Sequence, residues 1–429
     1  MSKAFTETRS IPTVIKYYIH VILVLFFLLG CSKRPKENPF EPNSDVSAPV
    51  ELMLELLNSK VKLSWYTKDI TDYKGYRVYK AIDNANNISL LTELPAETKT
   101  FTDTSLQYYH WYYYRVSVLG YDVESKLSTY VKTYPGPGQV WILSQNGRSI
   151  HQYSYDIQHK VNIYNTQSSP SNWDLDHDQN QIWLTYIYSS SIGKVDLQTG
   201  YVHSYSLINF IKPVDIKWDN LKKKSVILDQ SRKMIFFFDE QSIVDSLELN
   251  SGSYFRLQLS SNSDIGALSD SSAIIYLVES DLPKKISFDD GYVGQDLIFC
   301  DNILYILTAN SKTGQSIIIK YDVFNNEQEK LIINGIFNRV RKIVNCDYFW
   351  INEVIDKYNY RFVKLSETGQ RLFNSAPLIG VTDIQINPFD RSLLVVERYN
   401  DRILLFDSPG KNILSENSQV FDPIKVLIQ

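Results

Sequence analysis

The stretch from Asp383 to Gly410, DIQINPFDRSLLVVERYNDRILLFDSPG, holds three short apolar runs. Ile384 and Ile386 alternate with polar residues, Leu393–Val396 is continuous, and so is Ile403–Phe406. Between them stand Asn387-Pro-Phe-Asp390, Arg398-Tyr-Asn-Asp401 and Asp407-Ser-Pro-Gly410, all turn formers. Runs this short, bounded by Asn, Asp, Pro and Gly, read as strands of a meander. Three strands alone leave apolar faces bare, so the fold turns on whether the pattern repeats.

It does. Five earlier phrases open in a similar way: Asp174-Leu-Asp-His-Asp178, Asp215-Ile-Lys-Trp-Asp219, Asp264-Ile-Gly-Ala-Leu268, Asp296-Leu-Ile-Phe-Cys-Asp301 and Lys342-Ile-Val-Asn-Cys-Asp347. Spacings to the next phrase are 41, 49, 32, 46 and 41. An apolar second strand follows each (Ile182–Thr185, Ser225–Leu228, Ile274–Val278, Leu304–Leu307, Phe349–Ile351), and in most a third ends at Asp, as in Ile235–Asp239 and Ile319–Asp322. A period near 42 with four strands per unit is the signature of a β-propeller. Two ends remain. Gln139–Leu143 and Ser149–Tyr153 look like second and third strands lacking a first, and Pro423–Gln429 looks like a first strand lacking its blade. Joining them closes the ring and removes two sheet edges. The expectation is seven blades over 139–429, closed by 423–429, with the uneven spacing around Asp264 leaving six or eight open.

Asp383–Gly410 most closely resembles an NHL-type blade, whose third strand opens on Asn-x-Arg-Ile, here Asn400-Asp401-Arg402-Ile403. The other blades resemble only the wider group of NHL-like and YVTN-like propellers. Pro135-Gly-Pro-Gly138 is a linker, and 49–134 reads as short alternating strands. That segment resembles a fibronectin type III domain across its length. Trp65 lies on the second strand, Gly75-Tyr-Arg-Val-Tyr79 on the third, and Asp103-Thr-Ser-Leu106 leads to Tyr112-x-Tyr114-x-Val116. Tyr112 matches the tyrosine corner of such sandwiches. Glu124-Ser125-x-x-Ser128 resembles the last-strand motif, with Val123 where the family has Gly. The whole is expected to be all-β, a sandwich followed by a propeller.

At the other end, Tyr17–Gly30 is the only long apolar run, about 14 residues where a membrane span needs roughly 20. Lys3, Arg9 and Lys16 precede it, the pattern of a secretory signal over 1–30. Leu28-Leu-Gly-Cys31 resembles the bacterial lipobox, which implies cleavage before Cys31 and a lipid on its thiol; Ser32 rather than Asp favours the outer membrane. Residues 31–48, rich in Pro and charge with one aromatic, read as a flexible tether. Cleavage would remove three bases and one acid, leaving 41 basic against 47 acidic residues from the chain's 44 and 48, a net of −6. That balance gives no support to nucleic-acid binding.

Chemistry is sparse. Only His110, His151, His159, His177 and His203 survive signal removal, in no ligand spacing, and no metal or other cofactor is predicted. Asp174-x-Asp176-x-Asp178-x-Asn180 suggests a calcium loop, yet Gln179 and Thr185 stand where Gly and Glu belong, so a turn is the better reading. Cys300 and Cys346 read as two buried thiols rather than a bridge. Trp141, Trp183, Tyr305 and Trp350 recur at one blade position, which means packing. The repeated Asp174, Asp215, Asp264, Asp296 and Asp383 are candidate channel-facing residues. They would either attract a cation or fix each blade to its neighbour, the second being favoured. No catalytic residue emerges. The expectation is a membrane-anchored binding or scaffold module with an envelope protein or polysaccharide as partner. The alternative is a propeller enzyme of lyase, hydrolase or dehydrogenase type, acting at the channel mouth.

Overall fold

Seven strands between Val50 and Thr133 form two antiparallel sheets, one of Val50–Leu57, Lys60–Thr67 and Thr100–Asp103, the other of Ser89–Pro95, Gly75–Ile82, Tyr112–Leu119 and Val131–Thr133. The structure is a computed structural model that describes residues 40, 50–57, 60–67, 73–108, 110–136, 138–176, 178, 180–206, 209–249, 252–278, 280, 282–343, 347–388 and 390–428. Alternation along Lys60–Thr67 turns Val61, Leu63 and Trp65 inward, against Tyr76, Val78, Tyr114, Val116 and Val118 of the other sheet. The Tyr112 hydroxyl accepts from the Gln107 N–H (2.8 Å) and ties the chain back at a corner. Ser125 and Ser128 accept the Val118 and Val116 N–H groups (2.9 and 3.0 Å), taking the place of a paired strand. Phe40, the lone aromatic of 31–48, packs against this core beside Gly120. At that residue the segment is docked.

Beyond the linker the chain is a β-propeller. Among the described residues seven sheets of at least four strands follow one another, and their innermost strands are Asn172–Asp176, Pro213–Asp219, Tyr254–Leu259, Val293–Cys300, Phe337–Arg341, Val381–Ile386 and Pro423–Ile428. The last pairs antiparallel with Gln139–Ser144, Leu427 opposite Trp141, so the chain's end completes the sheet that its first propeller strands begin. Each apolar cluster is shared by two consecutive sheets. Trp183 stacks on Trp218 at 5.8 Å between one pair, Leu228 meets Leu257 between the next, and Ile142, Leu394 and Val426 close the ring. Second and third strands are covered on both faces and therefore read as continuous apolar runs, as in Lys224–Asp229 and Met234–Phe238. Outermost strands such as Ile243–Glu248 face water and are polar. Trp141, Trp183, Tyr305 and Trp350 occupy one rung, opposite Leu427, Asp174, Ile298 and Arg341, and all four are buried.

Two phrases of the repeat are misplaced by sequence. Asp264 lies outside the inner strand, in the turn before Ile265–Ser269, and Ile274–Val278 overlaps the third strand Ser272–Tyr276 rather than the second. The inner strand of that sheet is Tyr254–Leu259, which contains no acid. Lys342-Ile-Val likewise follows the inner strand Phe337–Arg341 instead of forming it. The cause is an irregularity that composition hides. Six inner strands carry a register shift at one position, between Pro213 and Asp215, Tyr254 and Arg256, Gly294 and Asp296, Phe337 and Arg339, Val381 and Asp383, and Pro423 and Lys425. A bulge re-aims the side chain beside it. The residue after each shift, with Asn172 in the unshifted strand, recurs at spacings of 43, 41, 40, 43, 44 and 42.

Candidate functional site: the central channel

In chain order the equivalent residues are Asn172, Asp215, Arg256, Asp296, Arg339, Asp383 and Lys425. Acids and bases alternate, and of the five aspartates that sequence singles out Asp215, Asp296 and Asp383 stand in this ring. Each of the three acids grips the strand that follows it. Asp215 Oδ2 accepts from Leu257 N–H (2.8 Å), Asp296 Oδ2 from Val340 N–H (3.2 Å), and Asp383 Oδ2 from Val426 N–H (3.2 Å). The residue just before each donor is the next strand's cation, Arg256, Arg339 or Lys425, so a base stands beside each of these backbone contacts. Asp174 does the same one rung deeper, Oδ2 accepting from Trp218 N–H (2.8 Å).

Seven positions cannot alternate all the way round, and the break falls at Asn172. Its Oδ1 accepts from Lys425 Nζ and from its own strand's Trp173 N–H (2.9 Å), while its Nδ2 donates to Asp215 Oδ1 (2.5 Å). A neutral side chain that both donates and accepts suits a place between a cation and an anion.

One rung below, Arg341 spans two neighbours. Nη1 bonds Asp296 Oδ2 (2.8 Å), Nη2 bonds Asp383 Oδ1 (2.7 Å), and Nε bonds Gln385 Oε1 (3.1 Å). Burial alone would raise the Asp296 carboxyl, but Arg341, Arg339 and Arg256 hold it below the usual carboxylate range. Burial works against the Arg341 charge, and Asp383 and Asp296 more than restore it. Lys217 is likewise held up against burial by Asp174 and Asp215. Two cations lack such a partner. Among the described residues no carboxylate lies within ion-pairing distance of Arg339 or Lys425. Burial, then Arg256, pushes Arg339 down to about 10. Burial, then Arg256, pushes Lys425 down to about 7, Lys217 adding to the effect and Asp215 and Asp383 opposing it.

The mouth below the ring is a cavity of about 200 Å³ lined by Trp173, Lys217, Arg341, Asp383, Gln385 and Lys425, among others. A cleft of about 320 Å³ lies between sandwich and propeller, where Asn180 Nδ2 donates to Glu55 Oε1 (2.5 Å). Its amides, Gln139, Gln152 and Asn162, already bond one another. A third hollow, about 550 Å³ beside Tyr305 and Phe349, is rimmed by Lys320 and Lys330, paired with Glu329 and Asp289.

Of the other sequence candidates, Cys31, His177 and Cys346 lie outside the described residues, as do residues 1–30. Cys300 is buried. Asp264 accepts from Val278 N–H (3.0 Å) and Ser260 Oγ (2.9 Å), away from the ring. Asp174 and Asp176 belong to the inner strand Asn172–Asp176, Asp176 Oδ1 caps Asp178 N–H just beyond it (3.0 Å), and Asn180 adopts a left-handed φ of 53°. Asp174, Asp178 and Asn180 turn to Trp218, Lys223 and Glu55 respectively. His151 is buried, its ring pushed down to about 4 by burial and Lys160. No group of three or more His, Cys, Asp or Glu suited to a metal occurs among the described residues. Sequence reasoning missed Arg256, Arg339, Arg341, Lys217 and Lys425. The signal was there: each ring residue precedes an apolar one in the regular spacing above, but a search for acids passes over bases.

No family model matches the chain, and neither does any curated protein. Many solved structures do. A protein from Lactobacillus plantarum is 12% identical with a TM-score of 0.56, covering 68% of this chain and 99% of its own. Hydrazine synthase of Kuenenia stuttgartiensis is 10% identical at 0.53, covering 69% and 93%. Apo AztD from Citrobacter koseri is 9% identical at 0.51, covering 68% and 97%. At such identities the likeness is one of fold, and a fold so widely shared does not fix a function.

Proposed function

We propose that the chain is a lipid-anchored envelope protein, held in the outer membrane through Cys31, in which a fibronectin type III-like sandwich spaces a seven-bladed propeller from the bilayer. The propeller is a binding or scaffold module for an envelope protein or polysaccharide. The observation that carries the non-enzymatic reading is the commitment of the channel acids. Asp174, Asp215, Asp296 and Asp383 each accept a backbone N–H, and all but Asp215 also lie within ion-pairing distance of a base. General acid–base work needs a carboxyl with a pKa near the working pH, whereas Asp296 is held low. The three-plus-four strand order and the Tyr112–Gln107 bond support the sandwich reading, and the seven consecutive sheets support the blade number. The lipobox supports the anchor, since multiple acyl chains hold a protein durably where one does not.

Mass spectrometry of the membrane-extracted protein is expected to find an acylated Cys31 at the mature N-terminus, lost in Cys31→Ser. An unmodified chain beginning before Cys31 would refute the anchor. The immobilised mature protein is expected to retain a defined envelope protein or polysaccharide from a matched extract, and to retain less when propeller-face residues are changed. Turnover of an envelope polymer by the pure protein would refute the binding reading.

A further inference from the structure

We propose that the channel mouth below Asn172 is a binding site for a small oxyanion, a phosphate or carboxylate group, held between the ammonium groups of Lys217 and Lys425. This goes beyond the binding face proposed above and does not depend on it. Of the charged groups lining the mouth, Arg341 and Asp383 consume one another, and Lys342 turns to Glu367 (2.8 Å). Lys217 and Lys425 remain. Lys217 Nζ makes one long contact, 3.4 Å to Asp174 Oδ1, and Lys425 Nζ bonds only the amide oxygen of Asn172. Each ammonium carries three donors, so four of the six meet no acceptor among the described residues. Both side chains are largely buried from bulk water, which makes unmet donors costly, and Lys425 also has no carboxylate within ion-pairing distance among the described residues. An oxyanion supplies several acceptors and the missing charge at once. The cavity's roughly 200 Å³ admits one such group with a short carbon skeleton or several waters at about 30 Å³ each.

The charges acting on Lys425 come from three other inner strands: Asp383 from the strand before it, and Asp215, Lys217 and Arg256 from the two beyond the neighbour that carries neutral Asn172. An anion added there favours the protonated amine. Binding near and above pH 7 is therefore accompanied by proton uptake and weakens as pH rises.

The test is calorimetric titration of the detergent-solubilised full chain, in low-chloride buffer, with inorganic phosphate and separately with succinate, at pH 6.5 and 9. A dissociation constant of about 1 mM or tighter is expected for at least one probe at pH 6.5. It should weaken at least tenfold in Lys425→Met and in Lys217→Met, and at pH 9 in the parent. Phosphate alone would identify a phosphoryl ligand, and succinate alone a carboxylate. Near-UV circular dichroism checks that each variant is folded, and the parent's pH series stands without them. No heat with either probe, equal affinity in both folded variants, or equal affinity at the two pH values with no proton uptake would each overturn the site.

Discussion

Two arcs of the channel treat buried charge in opposite ways. On one, Asp296, Arg341 and Asp383 form a chain in which a single guanidinium bridges the carboxylates of the strands either side, and both carboxylates also hold backbone N–H groups. On the other, at the seam where the C-terminal strand meets the first complete sheet, Lys425 reaches an amide instead. The first arc is balanced by geometry: planar Arg presents its donors in a fork that two acids can share. The second arises because an alternating pattern on seven strands must fail once. A buried charge is tolerable when its partners are fixed beforehand, and where they are not the protein lowers the charge by titration or leaves room for something else.

Breaking the balanced arc should have the largest effect. Arg341→Met keeps much of the stem but leaves Asp296 and Asp383 buried without their shared cation, and removing one partner of a buried pair costs about 3–5 kcal/mol. A chemical melt should show a loss of that size. The low-pH arm supplies a second reading. The folded Asp296 carboxyl titrates below its unfolded value, so its contribution is present above the unfolded pKa, near 4, and is lost as pH falls through the folded one. Arg341→Met should shrink that acid-labile part, and an unchanged acid limb would mean that the pair is not what holds Asp296 down.

The seam should answer with the opposite sign. Lys425 folds at a cost while protonated, because burial and Arg256 lower its amine to about 7 from an ordinary 10.5. Between those values the unfolded chain binds the extra proton, so stability from this group rises with pH from about 7 to 10. Lys425→Met removes the cost and is expected to stabilise the protein at pH 6 by about 1–4 kcal/mol, the range seen when buried charges give way to apolar residues. The gain should fade by pH 10. A loss of stability at pH 6 would show that the amine contributes to the fold through its bond to Asn172.

Much of this architecture is legible in the sequence, because strand and turn are local. Trp65, Tyr112 and Tyr114 declare the sandwich core, and the orphan ends 139–153 and 423–429 imply a closed ring, as the pairing of Leu427 with Trp141 realises. The channel is less legible. A bulge shifts side-chain direction by one residue, and nothing in Val214, Phe255 or Gln295 as residue types announces it. Nor does any local rule say that Arg256 and Arg339 stand where Asp215 and Asp383 do. That equivalence is set by neighbours about 42 residues away, through bonds such as Asp215 to Leu257.

Asp215 and Asp264 put that last point to the mildest test. Both are buried and both open the phrase Asp-Ile, yet only Asp215 stands in the ring. In Asp215→Asn one amide end must face donors, because Leu257 N–H and Asn172 Nδ2 lie on different oxygens. One donor is left unpaired in a buried site, at about 1–3 kcal/mol. Asp264 accepts Val278 N–H on one oxygen and the Ser260 hydroxyl on the other, so an amide that keeps its oxygen on Val278 N–H gives up only the bond from that hydroxyl. Asp264→Asn is therefore expected to cost no more than an ordinary hydrogen bond, about 1 kcal/mol or less. The pair also separates on anion titration: Asp215→Asn removes a negative charge that opposes the lowering of Lys425 and should alter its titration, while Asp264→Asn should leave it as it is. Equal costs and equal titration in the two variants would erase the distinction between ring and turn.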